Sequence, residues 1–301
     1  MSGETDSSRF DKQSVRRGFE RRAVGHGNAN FLAREIGTRM EERLDLLRAA
    51  PTQALDLGSG IGAGALMLRN RYPGCRVVET DLALQMLLQS GDSGSWWQRG
   101  LRRLKRNERT RVCADIEQLP FSERAFDMVW SNLALHWTDL SRSLLEVYRV
   151  LRPGGVFMFS MLGPDTLKEL RASYAEADGF AHVNPFVDLH DVGDWLVQAR
   201  FGDPVMDMEQ LTLTYPSVEA LLGELKAGGG GNANSGRSHG LSGSRGYARM
   251  RAAYERFRID DRLPATFEVV YGHAWRPQSE RRTASGESIV AFHPAREGGP
   301  R

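Results

Sequence analysis

The sequence predicts an α/β protein: a mostly parallel sheet with helices on both faces, an antiparallel strand at the sheet edge and a helical cap over one end. Three observations carry this expectation. Apolar, strand-like runs alternate with helix-compatible runs from about residue 53 to Leu162, the order of consecutive β-α-β units. Three of these runs lead into an acid, at Asp56, Asp81 and Asp115. Finally, Gln53-Ala54-Leu55-Asp56-Leu57 runs directly into Gly58-Ser59-Gly60-Ile61-Gly62. Alternate glycines let a backbone turn sharply, adopt positive φ and touch a ligand without an intervening side chain.

Length and composition set the outer limits. With 301 residues, 41% of them hydrophobic and 26% charged, the chain can bury a full core as one large domain or one domain with an addition. A formal net charge of +2 supplies no global pull toward nucleic acid, so an electrostatic partner must recognise a local patch. No apolar run reaches membrane-spanning length, and the polar opening from Met1 to Arg9 lacks a secretory core segment, so a soluble, cytoplasmic protein is expected. Cys75 and Cys113 each lie beside an expected buried strand and read as reduced core residues; no metal site is expected.

The elements follow in order. Residues 1–50 read as a charged helical segment, in which Ile36, Met40, Leu44 and Leu47 form an apolar stripe on a helix over Arg34 to Leu47. Residues 51–162 read as a cofactor-binding core. After the glycine turn come strands at Cys75–Asp81, around Val112 and Cys113, and at Ala125–Ser131, then an amphipathic helix from Thr138 to Leu151. Arg152-Pro153-Gly154-Gly155 stops that helix before a strand at Val156–Met161. Residues 163–275 read as a substrate cap and C-terminal strands of the same domain. Helices are expected at Asp165–Ala177, Asp191–Ala199 and Tyr247–Phe257, with a proline-containing loop at His182–Phe186. Gln210–Tyr215 and Thr266–Ala274 should pair antiparallel at the sheet edge. The Gly, Ser and Asn-rich stretch Gly228–Gly246 reads as a mobile loop, and residues 276–301 as a disordered tail.

One connection is unusually long. Between Met86 and Arg111 it carries Trp96, Trp97 and a basic run through Arg102, Arg103, Lys105 and Arg106. A basic face beside two tryptophans suits an acidic protein or nonspecific phosphate contacts; a solvated helix whose tryptophans pack on the core suits the pattern equally.

The order of acids defines the chemistry more closely. In parallel sheets ligands sit over the carboxyl ends of the strands, so Asp81 should stand beside the glycine turn, where its carboxylate can accept both hydroxyls of a ribose. Asp115-Ile116 follows in Asp115-Ile116-Glu117-Gln118-Leu119-Pro120. A dinucleotide enzyme does not need this third acid and favours the longer Gly-x-Gly-x-x-Gly turn. The order resembles the class I S-adenosylmethionine-dependent methyltransferases, which have a Rossmann-like sheet. The resemblance implies S-adenosyl-L-methionine as cofactor, with Asp56, Gly58, Ser59, Gly60 and Gly62 around its methionine part. It also implies Asp81 and Leu82 at the ribose, Asp115 and Ile116 at the adenine, and Asn132 as a further cofactor contact.

Four strings narrow the likeness: Ser131-Asn132-Leu133-Ala134-Leu135-His136-Trp137, Tyr148-Arg149-Val150-Leu151-Arg152-Pro153-Gly154-Gly155, Gly163-Pro164-Asp165-Thr166-Leu167-Lys168-Glu169-Leu170 and Leu225-Lys226-Ala227-Gly228. From Asp11 to Trp275 the chain resembles the malonyl-acyl-carrier-protein O-methyltransferases of biotin synthesis. That family's activity is methylation of the free carboxylate of a malonyl thioester, and its partner is an acyl-carrier protein bearing malonate; no specific nucleic acid, membrane span or oligomeric state is implied. An acidic carrier calls for a basic docking surface, either Trp96–Arg111 or Arg245, Arg249 and Arg251. His136, just after the fourth strand, is the first choice for a catalytic contact to substrate, with helix capping as its alternative. Arg21, Arg171 and Lys226 lie in segments able to fold over the crevice.

Two departures stand out: Phe19-Glu20-Arg21-Arg22-Ala23-Val24-Gly25-His26-Gly27 lacks the family's tyrosine, and Ser59 stands where cysteine is usual. The same strings also resemble complex I assembly factors proposed to hydroxylate an arginine, and a non-catalytic scaffold would keep the fold, so the fold does not separate these readings.

Overall fold

The computed structural model describes residues 11–23, 31–90, 109–228 and 243–278. Within them seven strands form one sheet: β1 (Gln53–Leu57), β2 (Arg76–Asp81), β3 (Thr110–Cys113), β4 (Phe126–Asn132), β5 (Leu151–Leu162), β6 (Gly202–Tyr215) and β7 (Leu263–Trp275). Their spatial order is β3-β2-β1-β4-β5-β7-β6. Strands β1 to β5 pair in parallel, whereas β7 lies antiparallel between β5 and β6. Chain order reverses between β1 and β4, and at that switch point the connections leave on opposite faces and open a crevice over the carboxyl ends of the strands.

Burial explains the strand sequences. β1 sits between β2 and β4 with both faces covered, so it reads as an almost unbroken apolar run, with Ala54 packed into one layer and Leu55 and Leu57 into the other. On the first face lie α2 (Phe31–Arg43), through Ile36 and Met40, and α3 (Ala63–Arg71), through Ala65 and Leu68. The opposite face is covered by α5 (Leu140–Val150) and α7 (Leu189–Gln198), whose Leu144, Val147, Val192 and Leu196 are fully buried. Two further helices, α1 (Lys12–Arg22) and α4 (Leu84–Gln89), meet in a small cluster in which Phe19 packs near Ala23, Ala83 and Met86. The cap consists of α6 (Lys168–Ala175), α8 (Val218–Ala227) and α9 (Ser244–Glu255). Leu170, Leu221, Met250 and Tyr254 bury its apolar side on the first face.

Several expectations shift. The stripe expected over Arg34–Leu47 forms α2 three residues earlier and closes in a single 3₁₀ turn at Leu44–Leu46. Strand β5 begins at Leu151, because Pro153-Gly154-Gly155 forms an irregularity within the strand, with Gly154 at φ +80°. The expected edge pair forms and is longer than read, with Gln210 opposite Glu268 and Tyr215 opposite Leu263.

Cys113 is not a core residue: it ends β3, an edge strand, and is exposed, while Cys75 is half-buried. Most of the Trp96–Arg111 segment and of the glycine-rich loop, and the tail from residue 279, lie outside the described residues. No helix among the described residues is long and apolar enough to cross a membrane.

The tail expectation fails at its first residue. Arg276 is buried, and its backbone stays paired, accepting from Gly154 N at 2.7 Å and donating to Gly155 O at 2.8 Å. Its Nη1 donates to the carbonyls of Tyr148 (2.7 Å) and Leu151 (2.8 Å), with the guanidinium 4.5 Å from the centre of the Tyr148 ring. These carbonyls lie in the last turn of α5 and at the residue that caps it, where intrahelical donors run out and a cation is favoured. An Arg276→Ala change should therefore lower unfolding free energy by about 2–3 kcal/mol. A urea titration should show a lower midpoint at unchanged slope, and an unchanged midpoint would contradict the assignment.

Candidate functional site

The crevice is built around the turn after β1. The amides of Gly58 and Ser59 both donate to Thr80 O, at 2.8 and 2.9 Å, folding the turn back over the end of β2. Gly58 has φ +72°, and a side chain there would collide with Ala134. Gly62 has φ +82° at the start of α3, and a side chain there would strike Ser90 and Glu79. Glycine is required at both positions by conformation and by space.

Asp81 ties the turn to the strand that follows. Its Oδ2 accepts from Gly60 N at 2.9 Å and its Oδ1 from Ala83 N at 2.8 Å. Burial pushes its carboxyl above the usual range, and the two amides oppose that shift. A carboxylate offers about four acceptor sites, so lone pairs remain for two hydroxyls.

A cavity of about 260 Å³ opens beside these groups. Asp56, Gly58, Ser59, Gly60, Asp81 and Leu82 line one side, and Asp115, Ile116, Asn132 and His136 continue the wall. Gly62 is absent from this lining and serves the turn and its packing. The other residues expected at the cofactor are thus brought together, each by a different local device.

Asp56 is buried in β1, and its Oδ2 accepts from Ala65 N at 2.6 Å, anchoring the first turn of α3. Desolvation, then the neighbouring Glu79, pushes its pKa up to about 7, while the Ala65 amide works against the shift. Asn132 spends both ends of its amide: Nδ2 donates to Ala33 O at 2.8 Å and Oδ1 accepts from Ser160 Oγ at 2.7 Å. It fastens α2 to the end of β4.

Asp115 Oδ1 accepts from Glu117 N at 3.0 Å, and Lys12 Nζ reaches Asp115 at 2.7 Å and Glu117 at 2.6 Å. Lys12 brings α1 across the mouth, where Phe19 stands edge-on to Trp137 with ring centres 5.7 Å apart.

His136 occupies a 3₁₀ turn at Leu135–Trp137, buried, with its ring edge toward Phe186 at 5.7 Å. Desolvation drives its pKa down to about 3, so it is neutral at physiological pH. Its Nδ1 has no hydrogen-bond partner among the described residues, and neither has Ser59 Oγ. Buried polar atoms of this kind are costly unless a ligand completes them.

The string Gly163–Leu170 forms the corner between β5 and the cap. Glu268 on β7 accepts from Asp165 N at 2.7 Å, and Thr166 Oγ1 donates to Glu268 O at 3.1 Å. Glu169 in turn accepts from Thr266 N at 3.1 Å. Two buried carboxylates therefore clamp the corner against β7.

Of the cations suggested by sequence, Arg21 is exposed on α1, Arg171 donates to Thr166 O at 3.0 Å, and Lys226 lines a second chamber. On α9, Arg249 donates to Ala177 O and Arg251 pairs with Glu219, while Arg245 is exposed. Sequence reasoning did not single out Lys12, Arg34, Tyr215 or Glu224, which also line the cavity. Lys12 is 103 residues from Asp115, so no local pattern announces the pair.

The residues fit S-adenosylmethionine. A glycine cradle excludes side chains where a ligand would approach, Asp81 has free lone pairs for a ribose, and Asp81, Asp115 and Glu224 supply negative charge for a cation.

Two outcomes test this site. Asp81→Ala should weaken cofactor binding by about ten- to a hundredfold in a calorimetric titration; unchanged affinity would sink the assignment. For Asp56, the folded-state pKa of about 7 lies above the ordinary 3.8, so the folded form holds the proton more tightly and stability falls as pH rises between these values. Denaturant titrations of Asp56→Asn should show a smaller loss across that window, and an undiminished loss would place its origin elsewhere.

A family model described as a methyltransferase domain matches residues 55–159. Among solved structures, the YcgJ protein of Bacillus subtilis superposes with a TM-score of 0.56 over 80% of this chain and 99% of its own, at 14% identity, a likeness of fold. Malonyl-[acyl-carrier protein] O-methyltransferase of Laribacter hongkongensis is 51% identical over 96% of this chain and 98% of its own length. The protein of the same name from Gallionella capsiferriformans is 47% identical over 93% of this chain and 96% of its own. Identity at this level runs through the cap as well as the cofactor half, and the chain belongs to the malonyl-[acyl-carrier protein] O-methyltransferase family.

Proposed function

We propose that this protein transfers a methyl group from S-adenosylmethionine to the free carboxylate of a malonyl group carried as a thioester on an acyl-carrier protein. The product is the methyl ester that primes pimeloyl, and hence biotin, synthesis, and the reaction belongs in the cytoplasm with its carrier. One observation carries the reading: a complete cofactor wall, from the glycine turn through Asp81 to Asp115, sits in a chain about half identical over nearly all its length to a relative bearing that name. Opposite that wall the cap is fixed to β7 by Glu169 and Glu268.

When bound, S-adenosylmethionine supplies an electrophilic methyl group on a positively charged sulfur, which a malonate oxygen can attack directly, because a carboxyl of pKa about 4 is already ionised near neutrality. The chain therefore needs no general base. Asp81 would hold the ribose end, and the Asp115–Lys12 pair would close the far end under α1. Trp137, Leu162 and Phe267 give the cavity an apolar side that excludes water, so the carboxylate meets the methyl group without a full hydration shell.

His136 is assigned to the acceptor. Being neutral, it can offer a hydrogen bond without adding charge beside a cationic cofactor. His136→Leu should lower kcat/KM by about ten- to a hundredfold, with His136→Asn retaining more, at unchanged cofactor affinity. Equal rates in all three proteins would remove it from the site.

The decisive assay supplies purified protein with methyl-labelled S-adenosylmethionine and malonyl carrier protein, and reads the carrier by intact mass. A methyl gain on malonyl carrier and none on acetyl carrier, which lacks a free carboxylate, is the expected result. Gain on neither, or hydroxylation without methyl transfer, would overturn the reading.

A further inference from the structure

Beside the cofactor cavity lies a second chamber of about 220 Å³. Trp137, Leu162, Leu225 and Phe267 line both spaces, so the two meet across these side chains. Their charged groups differ. Four carboxyl groups line the first beside Lys12 and Arg34; among the described residues none lines the second, whose basic side chains are Lys226 and His182, the latter backed by Asp178.

His182 is held in place. Its ring lies flat on Tyr174, with centres 3.8 Å apart and planes 9° apart, and its Nε2 is 2.8 Å from Asp178 Oδ1. Asp178 is itself fixed by Phe180 N at 3.0 Å, and that amide, then His182, holds its carboxyl below the usual range. With Nε2 facing Asp178 Oδ1, Nδ1 is the ring atom left for a ligand, and it donates to an anion when the ring carries a proton on both nitrogens. Lys226 stands in the last turn of α8, exposed, with no ion-pair partner among the described residues. The rest of the lining is largely apolar, including Val183, Phe186 and Leu222.

An anion leaving water for an apolar chamber needs a cation or a donor there, and carboxylates in the same wall would repel it. We propose that this second chamber receives the carboxylate-bearing acyl end of the acceptor, that Lys226 and His182 recognise its carboxylate, and that Asp178 and Tyr174 act as positioning residues for His182. The assignment rests on the carboxyl methyl transfer proposed above. Acidic and basic chambers then present donor and acceptor to each other across Trp137.

The chemistry balances without a proton. A carboxylate oxygen forms a bond to the methyl carbon as the carbon–sulfur bond breaks, and both electrons of that bond stay on sulfur. The acyl group becomes a neutral ester and the sulfonium a neutral thioether. Loss of the negative charge removes the attraction to Lys226 and His182, so product leaves more readily than substrate.

The test measures binding of malonyl-pantetheine to enzyme saturated with S-adenosylhomocysteine, with ester formation on malonyl carrier read in parallel. His182→Leu and Lys226→Met should each raise Kd and KM by about tenfold or more. Lys226→Arg keeps the charge and should stay within about threefold of the parent. Asp178→Asn should raise KM while sparing kcat, because it only positions His182. Affinity for S-adenosylhomocysteine should be unchanged throughout, which also reports that the variants are folded.

Unchanged Kd in both His182→Leu and Lys226→Met, or cofactor affinity falling in step with acceptor affinity, would overturn the chamber. If the parent binds malonyl-pantetheine through these residues but forms no ester, the reaction fails while the anion chamber stands.

Discussion

The Asp81 carboxylate is the interaction on which the site depends. One oxygen holds the amide of Gly60 and the other that of Ala83, so a single side chain fixes the glycine turn after β1 and the turn after β2. The switch between β1 and β4 would open a crevice in any sheet of this order, but the crevice is shaped only because the turn is held against the end of β2. Burial of Asp81 is tolerated because both amides favour its ionised form. What is left over, lone pairs facing the cavity, is what a ribose needs.

Charge is distributed around this anchor with a clear division. The first cavity concentrates carboxylates and admits Lys12 already paired to two of the acids of the Asp115 loop. Beyond Trp137 no carboxylate lines the wall among the described residues, and Lys226 stands there with His182, which leans on Asp178. On the proposed reading a cationic methyl donor and an anionic acceptor would each be stabilised on its own side, and they would lose opposite charges together when the methyl group moves. His136, in the wall of the first cavity, is a neutral imidazole, and its burial, which would be costly for a charged group, keeps it so.

Much of this was legible in the chain. Glycine spacing and the three acids announce the cofactor wall, since those requirements are local and each has a geometric cause. The roles of individual residues are less legible. Asp56 and Asn132 occur in the expected strings, yet the structure shows their polar atoms committed to Ala65, Ala33 and Ser160. Gly62 belongs to the same turn but faces Ser90 and Glu79. The string Gly163–Leu170 could be recognised without being explained; its cause is two carboxylates, Glu268 about a hundred residues away and Glu169 within the string itself, that bond the corner to β7. Lys12 and Arg276 illustrate the same point, because each acts on a partner more than a hundred residues away and no periodicity encodes that. Cys113 misleads for the opposite reason: a strand pattern does not tell an edge from a centre.

The most direct measurement is a crystal structure of the protein with S-adenosylhomocysteine and malonyl-pantetheine bound together. The expected result has the ribose hydroxyls on Asp81 and the malonyl carboxylate beyond Trp137 in the chamber of His182 and Lys226, with an oxygen roughly 3 Å from where the transferred methyl carbon would lie. An acyl group seated elsewhere, or an adenosine that bypasses Asp81, would contradict the account.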